Sequence, residues 1–264
     1  YSSFQFRIQG LGAGLLTDTE GIVLRQVKTS YGRRMVLLFS KKYGKISAGT
    51  SIAEKGRNRS SLALRPFTYG RYEMFKNRES YNINSADVIR SYYGIGEDVD
   101  KYMNGAYVLE FTERILSDEV PAPGIFSLLI DFFDMLENRS RGIGTLVLAY
   151  QTKVLRYSGV MPQLDHCAVC GEKKPAAKFS IPDGGIICSD CLKSKENLEC
   201  HTLIYDIKFG ILDILKYFTV NPLKKLEHLA LKEDAGRLLQ EIIREYAAYY
   251  LDASDLKSEK LIQM

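Results

Sequence analysis

Four cysteines carry the most specific chemistry in this chain. Cys167, Cys170, Cys188 and Cys191 read C-x2-C, 17 intervening residues, C-x2-C, a spacing that belongs to zinc sites. Each CxxC turn aims two sulfurs at one point, and two such turns close a tetrahedron. Gly171 and the Pro182-Asp183-Gly184-Gly185 turn give the backbone the freedom this requires. Two pairs of buried or redox thiols are the alternative, and a second CxxC at this distance argues against it. Four thiolates fill the coordination sphere, so the expected cofactor is one structural Zn2+ with no open position for water. A deaminase-type zinc centre needs an H-x-E motif, and none of the three histidines begins one. His166 abuts Cys167 and is expected to pack or lie at the surface. Cys200, next to His201, is expected to start a helix without a metal role. No Ser/His/Asp or Cys/His arrangement is visible. The glycines at Gly10-Gly12-Gly14 and Gly142-Gly144 lack the GK[ST] ending of a phosphate loop. The chain is therefore not expected to be an enzyme.

The second signal is charge. Residues 21–80 hold 14 Lys/Arg against three acids, a net +11 in a chain whose total is +4. A basic N-terminal third on an acidic remainder suggests a footprint for a polyanion; a merely solvated Lys/Arg surface is the plainer alternative. Aromatic residues interleave the cations, as in Tyr31, Arg33, Arg34; Lys41, Lys42, Tyr43, Lys45; and Arg65, Phe67, Tyr69, Arg71. Lys and Arg neutralise phosphates, and rings can stack on unpaired bases at about 1–3 kcal/mol per base. Period-two aromatics are more often core than stacking platform, so the charges are the safer candidates.

These residues need elements to hold them. Gly21–Lys28, Arg34–Ser40, Lys45–Ser51, Phe67–Lys76 and Tyr81–Ala86 read as five short strands with Gly turns, with Phe67, Tyr69 and Phe75 on one side of the fourth. They suggest a small barrel over 20–86, and an OB barrel offers such a face to single strands. The basic loop Glu54–Ser61 interrupts them. From about Asp98 the period becomes helical. Val108, Phe111 and Ile115 line a helix over 98–118 that Pro121 and Pro123 stop. Ile125, Leu128, Leu129, Phe132, Phe133 and Leu136 form an amphipathic stripe, and 143–157 is apolar nearly all round, as a central helix would be. Leu203, Ile207, Ile211, Ile214, Leu215 and Phe218 form another stripe, and Leu238 to Tyr250 the last. Residues 252–264 are expected to fray. The fold class expected is multidomain α+β: a five-stranded barrel, then a helical domain over 87–264 carrying the inserted four-cysteine zinc finger at 165–193. Residues 1–19 are Gly-rich and are set aside as a foreign leader. No run approaches the roughly 20 apolar residues of a membrane helix, there is no secretory signal, and five cysteines suit a reducing cytoplasm better than a disulfide scaffold.

The chain resembles the bacterial RecO family of DNA repair and recombination proteins. The resemblance begins at Glu20-Gly21-Ile22-Val23-Leu24-Arg25 and continues through Tyr43-Gly44-Lys45-Ile46 and Leu64-Arg65-Pro66-Phe67. It resumes at Arg156-Tyr157-Ser158-Gly159-Val160-Met161-Pro162-Gln163-Leu164-Asp165-His166-Cys167 and the paired CxxC. It covers roughly 20–250. It implies an N-terminal OB-fold, a helical domain and a zinc finger; binding of single- and double-stranded DNA; and annealing of complementary strands. The implied partners are RecR, in many bacteria RecF, and the acidic tail of single-strand binding protein (SSB), with RecA loaded onto SSB-coated strands. Carried over by position, the DNA-binding candidates are Arg25, Lys28, Arg33, Arg34, Lys41, Lys42, Lys45, Arg57 and Arg59. The family pattern after the first hairpin's Tyr-Gly differs here, where Tyr31-Gly32-Arg33-Arg34 is shorter and more basic. A zinc-ribbon RNA- or ribosome-binding protein, and a zinc hydrolase, are the competing readings. The first reading requires the cations to gather on one barrel face.

Overall fold

A computed structural model describes residues 15–28, 34–52, 59–77, 80–195 and 203–262. The chain divides into two compact units: the residues up to Ser91 together with Ser117–Pro121, and Tyr92–Leu116 together with Ala122 onward.

In the first unit, β1 (Leu15–Lys28), β2 (Arg34–Ser40), β3 (Gly44–Thr50), β4 (Thr68–Lys76) and β5 (Tyr81–Ser91) close into a barrel in the order β1-β2-β3-β5-β4. β1 is long enough to serve two neighbours. Leu15–Ile22 pairs with β4 and Gly21–Lys28 with β2, and a register shift between Val23 and Arg25 bends it from one to the other. A short parallel ladder, Ala48–Thr50 on Tyr81–Ile83, completes the ring. Val23, Val36, Leu38, Ile46, Ala48, Tyr72, Met74, Tyr81 and Ile83 fill the interior, each large side chain contributing about 1.5–3 kcal/mol by leaving water. The short helix α1 (Arg59–Ala63) adds Ala63 and Leu64 to that core. Tyr72, fully buried, donates its hydroxyl to the Ala63 carbonyl at 2.6 Å, which removes the penalty of an unpaired phenol.

Three expectations need correction here. Leu15–Thr19 is no leader: it is the first half of β1. Its inward positions are threonines, not aliphatics, so hydrophobic alternation does not reveal it. Thr19 and Ser40 share a hydrogen bond of 2.9 Å, and Thr17 and Tyr43 one of 2.6 Å. Residues 1–14 lie outside the described residues. The barrel also runs to Ser91 rather than Ala86. In β4 the inward set is Thr68, Gly70, Tyr72 and Met74. Tyr69 is therefore half-buried and Phe75 exposed, on the outer face, while Phe67 precedes the strand.

Ser117–Pro121 lies against the β2–β3 turn. Glu119 donates its backbone N–H to the Lys45 carbonyl at 2.9 Å, and Asp118 bridges Lys45. Gly44 permits this approach. Its φ is +71°, and a Cβ there would stand 2.1 Å from the Val120 carbonyl oxygen.

The second unit contains α2 (Val99–Ile115), α3 (Pro123–Asn138), α4 (Ile143–Tyr157), α6 (Ile211–Val220) and α7 (Glu233–Leu251), and between α4 and α6 the hairpin β6 (Ala176–Ser180) and β7 (Gly185–Cys188), α5 (Ser189–Lys195) and β8 (Ile204–Asp206). Asp98 caps α2 by accepting the Lys101 N–H at 3.0 Å. Pro123 opens α3 at a position whose N–H would have no partner. The stripe expected on α3 is buried in full, and α4 is buried without a break from Thr145 to Leu155. That central helix touches α2, α3, α6 and α7. Its polar groups are satisfied: Gln151 donates to the Tyr107 hydroxyl at 2.9 Å, and Tyr150 bonds Thr112 at 2.6 Å. Arg139, also buried, donates to the Leu226 carbonyl at 2.9 Å and joins the α3–α4 turn to the turn after α6.

Two further expectations fall. The stripe beginning at Leu203 is not one helix, because Ile204–Asp206 pairs with β6 and Gly210, left-handed, starts α6. Residues 252–262 do not fray. The Glu110 carboxylate accepts the backbone N–H groups of Lys257 (2.9 Å) and Ser258 (2.8 Å), capping a turn of 3-10 helix, while Leu256 and Ile262 are buried. No helix among the described residues is long and apolar enough to cross a membrane.

Candidate metal centre and nucleic-acid surface

The four cysteines converge. All four Sγ atoms lie within 4.8 Å of one another, with Cys170 and Cys188 at 3.9 Å. A tetrahedral zinc–thiolate site with Zn–S near 2.3 Å puts its sulfurs about 3.8 Å apart, so this set could hold a metal ion of that kind. Local structure fixes each ligand. Cys167 and Cys170 sit in one turn, closed by Gly171 N–H to the Cys167 carbonyl at 2.9 Å. Gly171 takes φ +74° with open space around it, which lets the turn reverse. Cys188 ends β7 and Cys191 lies in the first turn of α5. The Ala168 N–H donates to the Ile186 carbonyl at 2.8 Å, and the Cys188 N–H points at Cys167 Sγ at 3.4 Å. Burial disfavours the Cys167 thiolate, but N–H groups of Cys170, Cys188 and Val169 outweigh it and bring the thiol to about 6. The neighbouring sulfurs, Cys188 foremost, push Cys191 up to about 12. Sulfurs in such opposition compete to be anionic, and a cation at their centre relieves that competition. Lys174 pairs with Glu172 at 2.7 Å and with Asp190 at 2.9 Å, linking the two ligand turns. Cys200 and His201 lie outside the described residues.

The cation candidates divide. Arg25 is exposed on β1 opposite Leu37. Lys41 is 55% exposed and bonds Glu20 at 2.9 Å. Glu20 also accepts the Tyr69 hydroxyl at 2.7 Å, and Lys41 followed by Tyr69 holds its carboxyl below the usual value against the effect of burial. Lys45 is 16% exposed and pairs with Asp118 at 3.2 Å. Arg34 turns inward, donating Nη1 to the Ile52 carbonyl at 2.7 Å and Nη2 to Gln26 Oε1 at 2.9 Å, and Gln26 in turn donates to the Leu64 carbonyl. Its Nε is buried without a partner among the described residues. Arg34 is thus a strut of the barrel. Lys42 is exposed, donates to Thr17 Oγ1 at 3.2 Å and stands 5.3 Å from the Tyr43 ring centre. Arg33 and Arg57, and the side chains of Lys28 and Arg59, lie outside the described residues.

Arg34 opens β2 and Lys41 follows its last residue, which separates them by roughly 23 Å at about 3.3 Å per residue; Arg25, opposite Leu37, lies between these two levels.

Comparison with known proteins gives the same division of the chain. Residues 15–92 match the family model "Recombination protein O N terminal", and residues 96–260 match "Recombination protein O C terminal". The chain belongs to the RecO family. Among RecO relatives, the DNA repair protein RecO of Bacillus subtilis is 30% identical over 241 residues, 90% of this chain and 92% of the relative. That of Alkaliphilus metalliredigens is 27% identical over 248 residues, 92% and 97% respectively. That of Caldanaerobacter subterraneus is 28% identical over 235 residues, 86% and 92%. The RecO match begins at Leu15, where β1 begins, which agrees with Leu15–Thr19 being part of the barrel. Sequence reasoning missed one member of the basic cluster at the β2–β3 turn. Lys76 stands 4.8 Å from the Tyr43 ring centre and 5.2 Å from that of Tyr81, and the rings are 5.7 Å apart. The phenol of Tyr81, followed by Glu119 and Tyr43, raises the Lys76 ammonium above its usual value. Tyr43-Gly44-Lys45 signalled the turn, but nothing local signals that the end of β4 reaches it.

Proposed function

We propose that this RecO family member is a DNA-binding, strand-annealing recombination mediator that helps load RecA onto SSB-coated single strands, with no catalytic step. The observation that carries this reading is the basic barrel unit of a RecO chain: net +11 over residues 21–80. The strand order β1-β2-β3-β5-β4 supports reading the barrel as an OB-fold, a scaffold for single strands. Lys and Arg on it would neutralise phosphates on both strands and so raise the pairing rate. Arg25, Lys41 and Lys42 are the described residues best presented for this; Lys28, Arg33, Arg57 and Arg59 extend the set. Lys41 serves despite Glu20, because an exposed pair is worth about 0–1 kcal/mol and a phosphate can displace it. Arg34 and Lys45 contribute positive potential from fixed positions.

One structural Zn2+ at Cys167, Cys170, Cys188 and Cys191 completes the second unit, its binding energy being part of the folding energy of the module. The proposed partners are single- and double-stranded DNA, RecR, the SSB tail and, indirectly, RecF and RecA, in the cytoplasm at the nucleoid. An acidic tail ending in an apolar residue needs an apolar notch with cations beside it. The candidate that supports such a notch is a hollow of about 530 Å³ lined by Met103, Ile143, Leu148 and Leu231, with Arg141 and Lys232 balanced by Asp100 and Glu233.

The test is annealing of complementary DNA oligonucleotides with and without the protein, across a salt series. Contact with about six phosphates gives a log–log slope near −4 for single strands. Tight RNA binding without faster DNA annealing would favour the ribonucleoprotein reading instead.

A further inference from the structure

We infer that the four-cysteine site is also a redox switch: a peroxide oxidises Cys170 and Cys188 to a disulfide across the two knuckles, the metal is released, and a dithiol reductant restores the site. The inference rests on the structural zinc proposed above and gives its ligands a regulatory use.

The four ligands are not equivalent. Cys167 and Cys188 are buried, Cys191 is half-buried, and Cys170 is exposed. The chain around Cys170 is open too: Val169 is exposed, and open space surrounds Gly171. Burial shields the inner sulfurs from solutes, while a small polar oxidant meets the outer one. A thiolate, the form that binds metal, is also the nucleophilic form of cysteine. Cys188 Sγ, in the other knuckle, stands 3.9 Å from Cys170 Sγ, so a partner thiolate is already at hand. In a reducing compartment, which the cysteine usage suits, disulfides are transient and serve sensing or catalysis.

The Cys170 thiolate attacks one oxygen of hydrogen peroxide. The O–O bond breaks, hydroxide leaves, and Cys170 becomes a sulfenic acid. The Cys188 thiolate then attacks that sulfur, forming the S–S bond and expelling a second hydroxide. Two thiolates have lost two electrons, the peroxide has gained them, and solvent protonates both hydroxides to water. Half of the ligand set is gone, and the remaining two sulfurs do not hold the ion. The knuckles stay joined without it. Lys174 pairs with Glu172 at 2.7 Å and Asp190 at 2.9 Å, and the Ala168 N–H bonds the Ile186 carbonyl at 2.8 Å. Reduction of the bridge therefore finds the sulfurs close together, ready to rebind. The change also reaches beyond the module. Cys188 ends β7, and the β6–β7 hairpin rests on α7, where Tyr250 donates to the Ile181 carbonyl at 2.9 Å and the Phe179 and Tyr246 rings are 6.1 Å apart. Release of the metal loosens that contact.

The experiment uses the full zinc-loaded chain, hydrogen peroxide and a zinc-responsive dye. The wild type should release its zinc as a disulfide forms. Trypsin should then yield residues 157–173, which hold Cys167 and Cys170, cross-linked to residues 179–193, which hold Cys188 and Cys191, and fragmentation should place the bridge at Cys170 and Cys188. A dithiol with added Zn2+ should restore both metal content and Tm. Cys170→His keeps a fourth ligand but removes the exposed thiol. It should release zinc at least about tenfold more slowly under the same peroxide, because no exposed thiolate remains. Cys191→His, which leaves the reacting pair intact, should release it at close to the wild-type rate. Zinc retained by the wild type under peroxide, or a bridge confined to one of the two peptides, would overturn the switch and leave the structural ion standing. Release from Cys170→His as fast as from the wild type would overturn it too. If Cys170→His takes up no zinc, the position of the wild-type bridge decides. A wild-type chain that takes up no zinc would sink the metal reading, and the switch with it.

Discussion

The cysteine module and the barrel surface make instructive neighbours in one chain. In the module, each ligand is placed by its own turn: Gly171 reverses one knuckle, and the end of β7 and the start of α5 make the other. The rest of the fold has little say in what the sulfurs do. On the barrel, a cation's role depends on what the fold sets beside it. Arg34 is spent on Ile52 and Gln26, Lys45 on Asp118, and Lys41 on Glu20, while Lys42 and Lys76 stack on tyrosine. Ligands closed by local turns keep their chemistry wherever the module sits, whereas an electrostatic surface is what remains after internal partners have taken their share.

The largest effect that would test this contrast is loss of the metal. Cys188→Ser, or a chelator, should strip a site whose binding energy is on the order of 10 kcal/mol in small zinc modules. Calorimetry should show a large fall in Tm, with zinc content lost in parallel, while strand binding by the barrel persists. An unchanged Tm would end the case for a structural ion.

Next come the two arginines. Arg34→Met strands the Ile52 carbonyl and Gln26, so urea unfolding should show a loss of about 1–3 kcal/mol with the salt slope of binding little changed. Arg25→Ala should lower the single-strand slope by about 0.7 and cost less stability than Arg34→Met, because Arg25 is exposed. If the two variants behave alike, the division between strut and contact is wrong.

Smaller still is a pH effect confined to the second unit. Burial raises the Glu110 carboxyl, but its bonds from Ser258 and Lys257 outweigh it and hold the folded value below normal. The stabilisation is thus present above the ordinary Glu value of about 4.3 and is lost as pH falls through the depressed folded value. Glu110→Gln should flatten that part of the acid unfolding curve, by on the order of 1 kcal/mol; a variant with an unaltered curve would count against this tether. Least of all, Lys41→Ala should change stability by no more than about 0.5 kcal/mol in thermal melts, since its partner Glu20 keeps the Tyr69 hydroxyl.

Much of this could be read from residue order, for reasons that differ by region. The α3 stripe Ile125 to Leu136 and the all-apolar α4 are buried as their periodicity requires, because helix packing rewards a repeating side. The cysteine spacing carries its own geometry. What escaped detection was set by long-range pairing. Thr17 and Thr19 point into the barrel and hide the start of β1. Phe75 faces out because the register of β4 against β1 and β5 decides its side. β8 pairs with β6 from across the cysteine segment, which overrode a helical pattern at Leu203 and Ile207. Lys76 joins Tyr43 only once the ring closes. The capping of Lys257 and Ser258 by Glu110 joins residues far apart along the chain and leaves no local trace.

The contact of Ser117–Pro121 with the β2–β3 turn bears on how the molecule is made. The barrel's last strand ends at Ser91, yet the backbone that sits against Gly44 and hydrogen-bonds Lys45 is not synthesised until Val120. During translation the ring must wait, one end uncovered, while the whole of α2 emerges. A gene fragment cut after the fifth strand would encode all five strands of the ring but not the segment that packs on Gly44 and Lys45.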